Sequence, residues 1–186
     1  DWGWQDVGFM GSTYYDTPVM DALATDGIRF DNAYSAAPNC APTRAALMSS
    51  QYSPRTGVYT VGTPERGNTH ERRLIPTINK TVLDMPIVTM AESIKAAGYN
   101  TAFMGKWHLS GHGRVSSGGI GDGQYAPEFQ GFDRNVGGCA YGGPPSFFSP
   151  YKIHNLKDGK AGEYLPYRLA QEAIGFIEEN KDDPFL

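Results

Sequence analysis

Apolar and polar positions follow two periods along the chain, and short helices and strands are expected where each period holds. Thr17-Pro18 followed by Val19, Met20, Ala22 and Leu23, and closed by Gly27, fits a short helix with Thr as cap, Pro in the first turn and Gly as stop. Residues 28–34 (Ile-Arg-Phe-Asp-Asn-Ala-Tyr) alternate apolar with polar and suit a strand. Thr43-Arg44-Ala45-Ala46-Leu47-Met48 is a good helix-forming run, and Pro42 before it suits a first turn, so Cys40 sits at or just before a helix N-terminus. Residues 51–86, rich in Pro, Gly, Thr and charge, are expected to be loop.

Thr89-Met90-Ala91-Glu92 fits a capping box, opening a helix that runs to Ala97 with Gly98 as its stop. A strand over 99–104 follows, then a second loop-like stretch, 110–149, crowded with Gly and aromatics. A last helix over 167–180 carries Leu169, Ala173, Ile174 and Ile177 on one face, and Asp182-Asp183-Pro184 breaks it before Phe185-Leu186 starts a buried strand. Helices alternating with strands predict an α/β sheet sandwich, in which ligands bind beyond the carboxyl ends of the strands.

Composition narrows the function classes. The 186 residues suggest one domain with a sizeable core, 40 % of them are hydrophobic, and the net charge is −4. That mild acidity argues against nucleic acid or an anionic membrane surface as partner. No apolar run approaches the roughly 20 residues that span a bilayer. The opening Asp1-Trp2-Gly3-Trp4 and the closing Pro184-Phe185-Leu186 both read as cut ends, so the chain is expected to be a fragment. A bridge between the two cysteines, Cys40 and Cys139, would contribute on the order of 3–5 kcal/mol by loop entropy, but Cys40 has a better use.

Three clusters could carry chemistry. At a helix N-terminus Cys40 would meet unpaired N–H groups and a positive dipole end, and Arg44 could fold back to add a fixed charge. In Gly105-Lys106-Trp107-His108-Leu109, an extended backbone would turn Lys106 and His108 to one face and Trp107 to the other, suiting an anionic substrate. Asp1 could ligate a hard cation. Each cluster alone has a plainer reading: a buried thiol beside a surface arginine, a lysine beside a structural histidine, a solvated aspartate.

Cys40-Ala41-Pro42-Thr43-Arg44 matches the C-x-P-x-R motif of the type I sulfatases, and Gly98-Tyr99-Asn100-Thr101-Ala102-Phe103-Met104-Gly105-Lys106-Trp107-His108 resembles their G-Y-x-T…G-K-W-H block. Asp1-Trp2-Gly3-Trp4-Gln5-Asp6-Val7-Gly8 looks like the tail of their opening D-D-x-G-x-x-D-x-G block. Residues 28–34 and Arg55-Thr56-Gly57-Val58 resemble stretches flanking the cysteine, and 60–86 and 110–127 are the least recognisable.

The resemblance implies an alkaline-phosphatase-like fold, a mixed, mainly parallel sheet flanked by helices and incomplete at both ends, with 1–186 the N-terminal portion of one catalytic domain. It implies that a maturation enzyme oxidises Cys40 to formylglycine, whose hydrated aldehyde attacks sulfur with one hydroxyl and expels sulfate with the other. Arg44 would hold the diol, Lys106 would bind a sulfate oxygen, and His108 would take the proton of the second hydroxyl. Asp1 would be one ligand of a calcium ion. The substrate would be an aryl or carbohydrate sulfate, and a periplasmic or secreted location is expected.

The pattern is incomplete here. Only one of the family's two opening acidic residues is present, and Asp1 is the single family ligand for a cation that wants roughly 6–8 oxygens. The family's Asp-Asn pair, leaving-group histidine and second lysine lie beyond residue 186, so the fragment alone is expected to be inactive. His70, His112 and His154 match no motif. Two alternatives remain: a phosphomonoester or phosphonate hydrolase of the same superfamily, and a non-catalytic glycan-binding relative. Tyr141, Phe147 and Phe148 could stack on a sugar or aryl ring, though ordinary packing accounts for them equally.

Overall fold

The structure, a computed structural model, describes residues 3–62, 64–65, 67–111 and 123–186. The chain divides into two compact units, Asp1–Tyr34 and Ser35–Leu186.

In the first unit a single turn of 3-10 helix, Gly8–Met10, precedes α1 (Pro18–Asp26). Thr17 is the cap residue, but its hydroxyl makes no cap bond. It accepts from Gly8 N (2.8 Å) and donates to Asp21 Oδ1 (3.1 Å), which also accepts from Phe9 N (2.9 Å), so the cap residue pins the preceding turn. Residues 28–34 form no strand, contrary to their alternation. A strand needs a neighbour's N–H and C=O groups. This unit supplies none among the described residues, and Ile28, Phe30 and Tyr34 are all exposed.

The second unit is built on two parallel strands, β1 (Ala102–Met104) and β2 (Arg134–Val136), registered Ala102↔Arg134, Phe103↔Asn135 and Met104↔Val136. The expected strand over 99–104 is thus a shorter ladder. β2 lies in a stretch expected to be loop: three residues among glycines carry too little pattern to announce a strand, and β1 specifies the pairing. On the other edge, Leu186 N donates to Asn100 O and Ala102 N donates to Leu186 O, both at 2.9 Å, so the last residues begin the expected strand. Asp133 ties the two strand entries together by accepting from both the N–H and the hydroxyl of Thr101, and Lys95 pairs with it at 2.5 Å.

Helices pack on this sheet. α2 (Cys40–Ser49) and α4 (Met90–Ala96) bury Ala41, Ala45, Met48 and Ala91 against Phe103, Trp107, Leu109 and Phe132. The capping box at Thr89 and Glu92 forms as expected, with Thr89 N donating to Glu92 Oε2 (2.7 Å) and Glu92 N to Thr89 Oγ1 (3.1 Å). Gly131, at φ +97°, runs so close to α4 that a β-carbon there would lie 2.4 Å from Glu92 N. Between α2 and α4 the expected loop contains one short helix, α3 (Ser53–Thr56), and a 3-10 turn, Thr69–Glu71.

α5 (Leu165–Asn180) starts two residues earlier than its pattern suggests, with Tyr164 as cap and Pro166 in the first turn. Its buried residues are Leu165 and Phe176, while Ile174 and Ile177 are about half exposed, so the inward face is rotated from the expected one. A second core of Val136, Cys139, Tyr151, Ile153, Leu156 and Leu165 lies beside β2. β1 leads directly into residues 105–109 at its carboxyl end, where an α/β sheet presents its ligand site.

Candidate active site

α2 begins at Cys40 itself. Asn39, in extended conformation, is the cap residue, and Pro42 at the third helical position has no N–H to offer. Burial of Ala41, Ala45 and Met48 sets the rotation of the helix, leaving Cys40 and Arg44 partly buried one turn apart on the same flank. Arg44 Nε donates to Trp107 O at 2.8 Å, and its guanidinium carbon lies 5.8 Å from the centre of the Phe103 ring. Burial draws the Arg44 pKa below its ordinary value, and its electrostatic interaction with Cys40 pulls it the other way. Arg44 thus has its Nε committed to a backbone carbonyl and its guanidinium set against the Phe103 ring.

That carbonyl belongs to the residue between Lys106 and His108. One hydrogen bond thus joins the two motifs across 63 residues of sequence. Trp107 is fully buried, edge-on to Phe103 at 5.2 Å and to Phe132 at 6.2 Å, with its indole N–H donating to Tyr125 O (2.9 Å). Such aromatic pairs contribute about 0.5–1.5 kcal/mol beyond their buried area. Trp107 is therefore the anchor that holds its neighbours in place.

The segment does not stay extended, which corrects the simple alternation. Gly105 has φ +93° and donates to Val136 O (2.8 Å), and His108 has φ +64° and donates its N–H to Cys139 O (2.9 Å). Holding a non-glycine residue in that region costs roughly 1–3 kcal/mol, and such positions concentrate at functional sites. His108 is buried, at 5 % exposure, and Lys106 is partly buried. No disulfide joins Cys40 and Cys139.

The residue patterns passed over Gly142. A β-carbon there would lie 2.7 Å from His108 Cε1 and 2.8 Å from Nε2, so the glycine backbone forms one wall of the imidazole's slot. Nothing short of the folded contact signals this. Gly142→Ala is expected to displace the His108 ring, which NMR of the imidazole resonances beside a melting curve would check. Tyr141 packs on the second core, Phe147 is half exposed, and Phe148 meets Tyr164 at 5.4 Å, so one of the three is core packing and two remain at the surface. Asp1 and His112 lie outside the described residues. Among the described residues no group of three or more His, Cys, Asp or Glu could hold a metal.

A family model described as Sulfatase matches residues 1–186. The chain belongs to the sulfatase family. It is 33 % identical to an ulvan-active sulfatase of Formosa agariphila, over all of this chain and 32 % of that protein. It is also 33 % identical to human N-acetylgalactosamine-6-sulfatase, over 96 % of this chain and 30 % of that one. The sulfatase chain thus spans about a third of the length of these curated relatives. The crystal structure of Ps i-CgsB in complex with k-i-k-neocarrahexaose superposes with a TM-score of 0.72 at 29 % identity, covering 98 % of this chain and 41 % of that one. The mixed α/β fold of this sulfatase, a parallel sheet flanked by helices, is therefore the family's.

Proposed function

We propose that the full-length protein carrying this chain hydrolyses carbohydrate sulfate esters, with position 40 as its nucleophile after oxidation of Cys40 to formylglycine by a maturation enzyme. The observation that carries the proposal is the Arg44–Trp107 hydrogen bond, which docks the helix bearing Cys40 against the segment bearing Lys106 and His108. The formylglycine supplies a hydrated aldehyde, with one hydroxyl to attack sulfur and another to release sulfate.

The residues of this chain serve that centre. Arg44, fixed by Trp107 O and the Phe103 ring, holds positive charge beside position 40. Lys106 stabilises negative charge on a sulfate oxygen. His108, held by Cys139 O and walled by Gly142, takes a proton from the second hydroxyl as sulfate leaves. Calcium is proposed only from the family's chemistry, with Asp1 as one ligand. Among the described residues no group of three or more His, Cys, Asp or Glu assembles a cage for it.

A carbohydrate substrate is favoured because relatives are named for ulvan and N-acetylgalactosamine 6-sulfate, and one neighbour was solved with a neocarrahexaose. Residues 1–186 are proposed to be the N-terminal portion of one catalytic domain, inactive alone. An extracytoplasmic location is proposed as well. Among the described residues no helix is long and apolar enough to cross a membrane. Comparing an aryl sulfate with the matching aryl phosphate, using full-length protein co-expressed with a formylglycine-generating enzyme, tests the activity. A higher kcat/KM for the sulfate is expected; preference for the phosphate would transfer the protein to the phosphoester hydrolases.

A further inference from the structure

We propose that Asn79 is a positioning residue for position 40, acting through Thr60 and Asn39. The inference rests on Cys40 being the precursor of the nucleophile.

It starts from an anomaly at the helix cap. Asparagine at a cap ordinarily accepts a hydrogen bond from the N–H of the second or third helical residue. Asn39 makes no such bond, and Pro42 removes one of the two donors that could have held it. Its Nδ2 instead donates to Thr60 Oγ1 at 3.2 Å, and its buried Oδ1 has no hydrogen-bond partner among the described residues. The Asn39 carbonyl still accepts from Thr43 N (3.4 Å), but its side chain is held by a loop 21 residues away rather than by its own helix.

Asn79 sets where that loop hydroxyl lies. Its Oδ1 accepts from Tyr59 N (2.7 Å) and Thr60 N (3.0 Å). Its Nδ2 donates to Thr60 O (3.1 Å) and Gly62 O (2.6 Å). Two donors and two acceptor sites are all a carboxamide has, and all four are used on the backbone of 59–62. Thr60 is thereby clamped on both its N–H and its C=O, and Lys80 N anchors the neighbouring strand of chain to Gly57 O (2.9 Å). A structural clamp would need only the loop. This one continues through the Thr60 hydroxyl to the side chain of Asn39, the residue before Cys40.

The test uses the full-length enzyme with formylglycine occupancy measured by mass spectrometry, and rates expressed per modified site. Thr60→Val removes the hydroxyl but leaves every Asn79 bond to the backbone possible. It is expected to lower kcat about tenfold with KM changed less than about twofold, because misorientation of the reacting group acts on the chemical step. Thr60→Ser restores the hydroxyl and is expected to recover most of the rate. Asn79→Ala is expected to match Thr60→Val, and the double variant to be no worse than either alone, as for residues in one chain of contacts. Should Asn79→Ala fail to fold, Asn79→Asp, which keeps acceptors for Tyr59 N and Thr60 N but loses both donors, takes its place, and an unchanged kcat there would overturn the proposal. An unchanged kcat in Thr60→Val, a rise in KM alone, or equal losses for Val and Ser would overturn the proposal. An unmodified or inactive wild-type protein would instead sink the nucleophile assignment on which it rests.

Discussion

Replacing Cys40 with alanine in the full-length protein is expected to abolish sulfate-ester hydrolysis, lowering kcat by about 10⁴-fold or more, the scale seen when a covalent nucleophile is removed. Stability should hardly change. Cys40 is only partly buried, forms no disulfide, and stands at the first position of α2, where alanine is a good helix former. The unfolding free energy should therefore change by no more than an exposed substitution changes it, within about 0.5 kcal/mol. Cys40→Ser is the sharper variant. It keeps a hydroxyl where attack on sulfur is expected but lacks the second hydroxyl needed to rebuild a carbonyl and expel sulfate. It should turn over no better than alanine, and intact-mass measurement after substrate treatment should find protein carrying one added SO₃ group.

Arg44→Lys is expected to cost about 10²-fold in kcat, the scale of losing one preorganised group that faces developing charge. The change keeps the charge and loses the geometry. Arg44 uses Nε to bond Trp107 O while its guanidinium carbon lies 5.8 Å from the centre of the Phe103 ring, leaving the terminal nitrogens for position 40 in the proposed reading. A lysine offers one terminal ammonium, which can satisfy the carbonyl or approach position 40 but not both. Loss of the Trp107 bond should also destabilise the fold by about 1 kcal/mol, measurable as a lower denaturation midpoint. Unchanged kcat with only that stability loss would mark Arg44 as a structural strut and remove it from the site.

Local signals were legible in proportion to how local their causes are. The capping box of α4 was readable because Thr89 and Glu92 meet within one turn, and α2 was readable from its helix formers and the proline beside Cys40. The strand over 28–34 was not, because alternation describes a half-buried surface and the strand needs a partner that this unit does not supply among the described residues. β2 escaped for the opposite reason: Arg134, Asn135 and Val136 become a strand through their registry with 102–104. In α5, the pattern placed Ile177 inward where the structure buries Phe176, since the helix turns to set the larger ring against Phe185.

The site divides the same way. Cys40, Arg44, Lys106 and His108 stand in two compact motifs that could be read directly. The bond uniting the motifs, the left-handed backbone at His108, the wall made by Gly142 and the Asn79 clamp are all tertiary contacts. No spacing in the sequence encodes them. The extended backbone on which Lys106 and His108 would share a face is not kept at His108, where Cys139 O accepts its N–H.

The nucleophile itself is tested most directly by mass analysis of the peptide containing Cys40, isolated from the protein as its native producer makes it. Formylglycine at position 40, a side chain that has exchanged its thiol for an aldehyde, is the predicted result. Unmodified cysteine in active native protein would contradict the account.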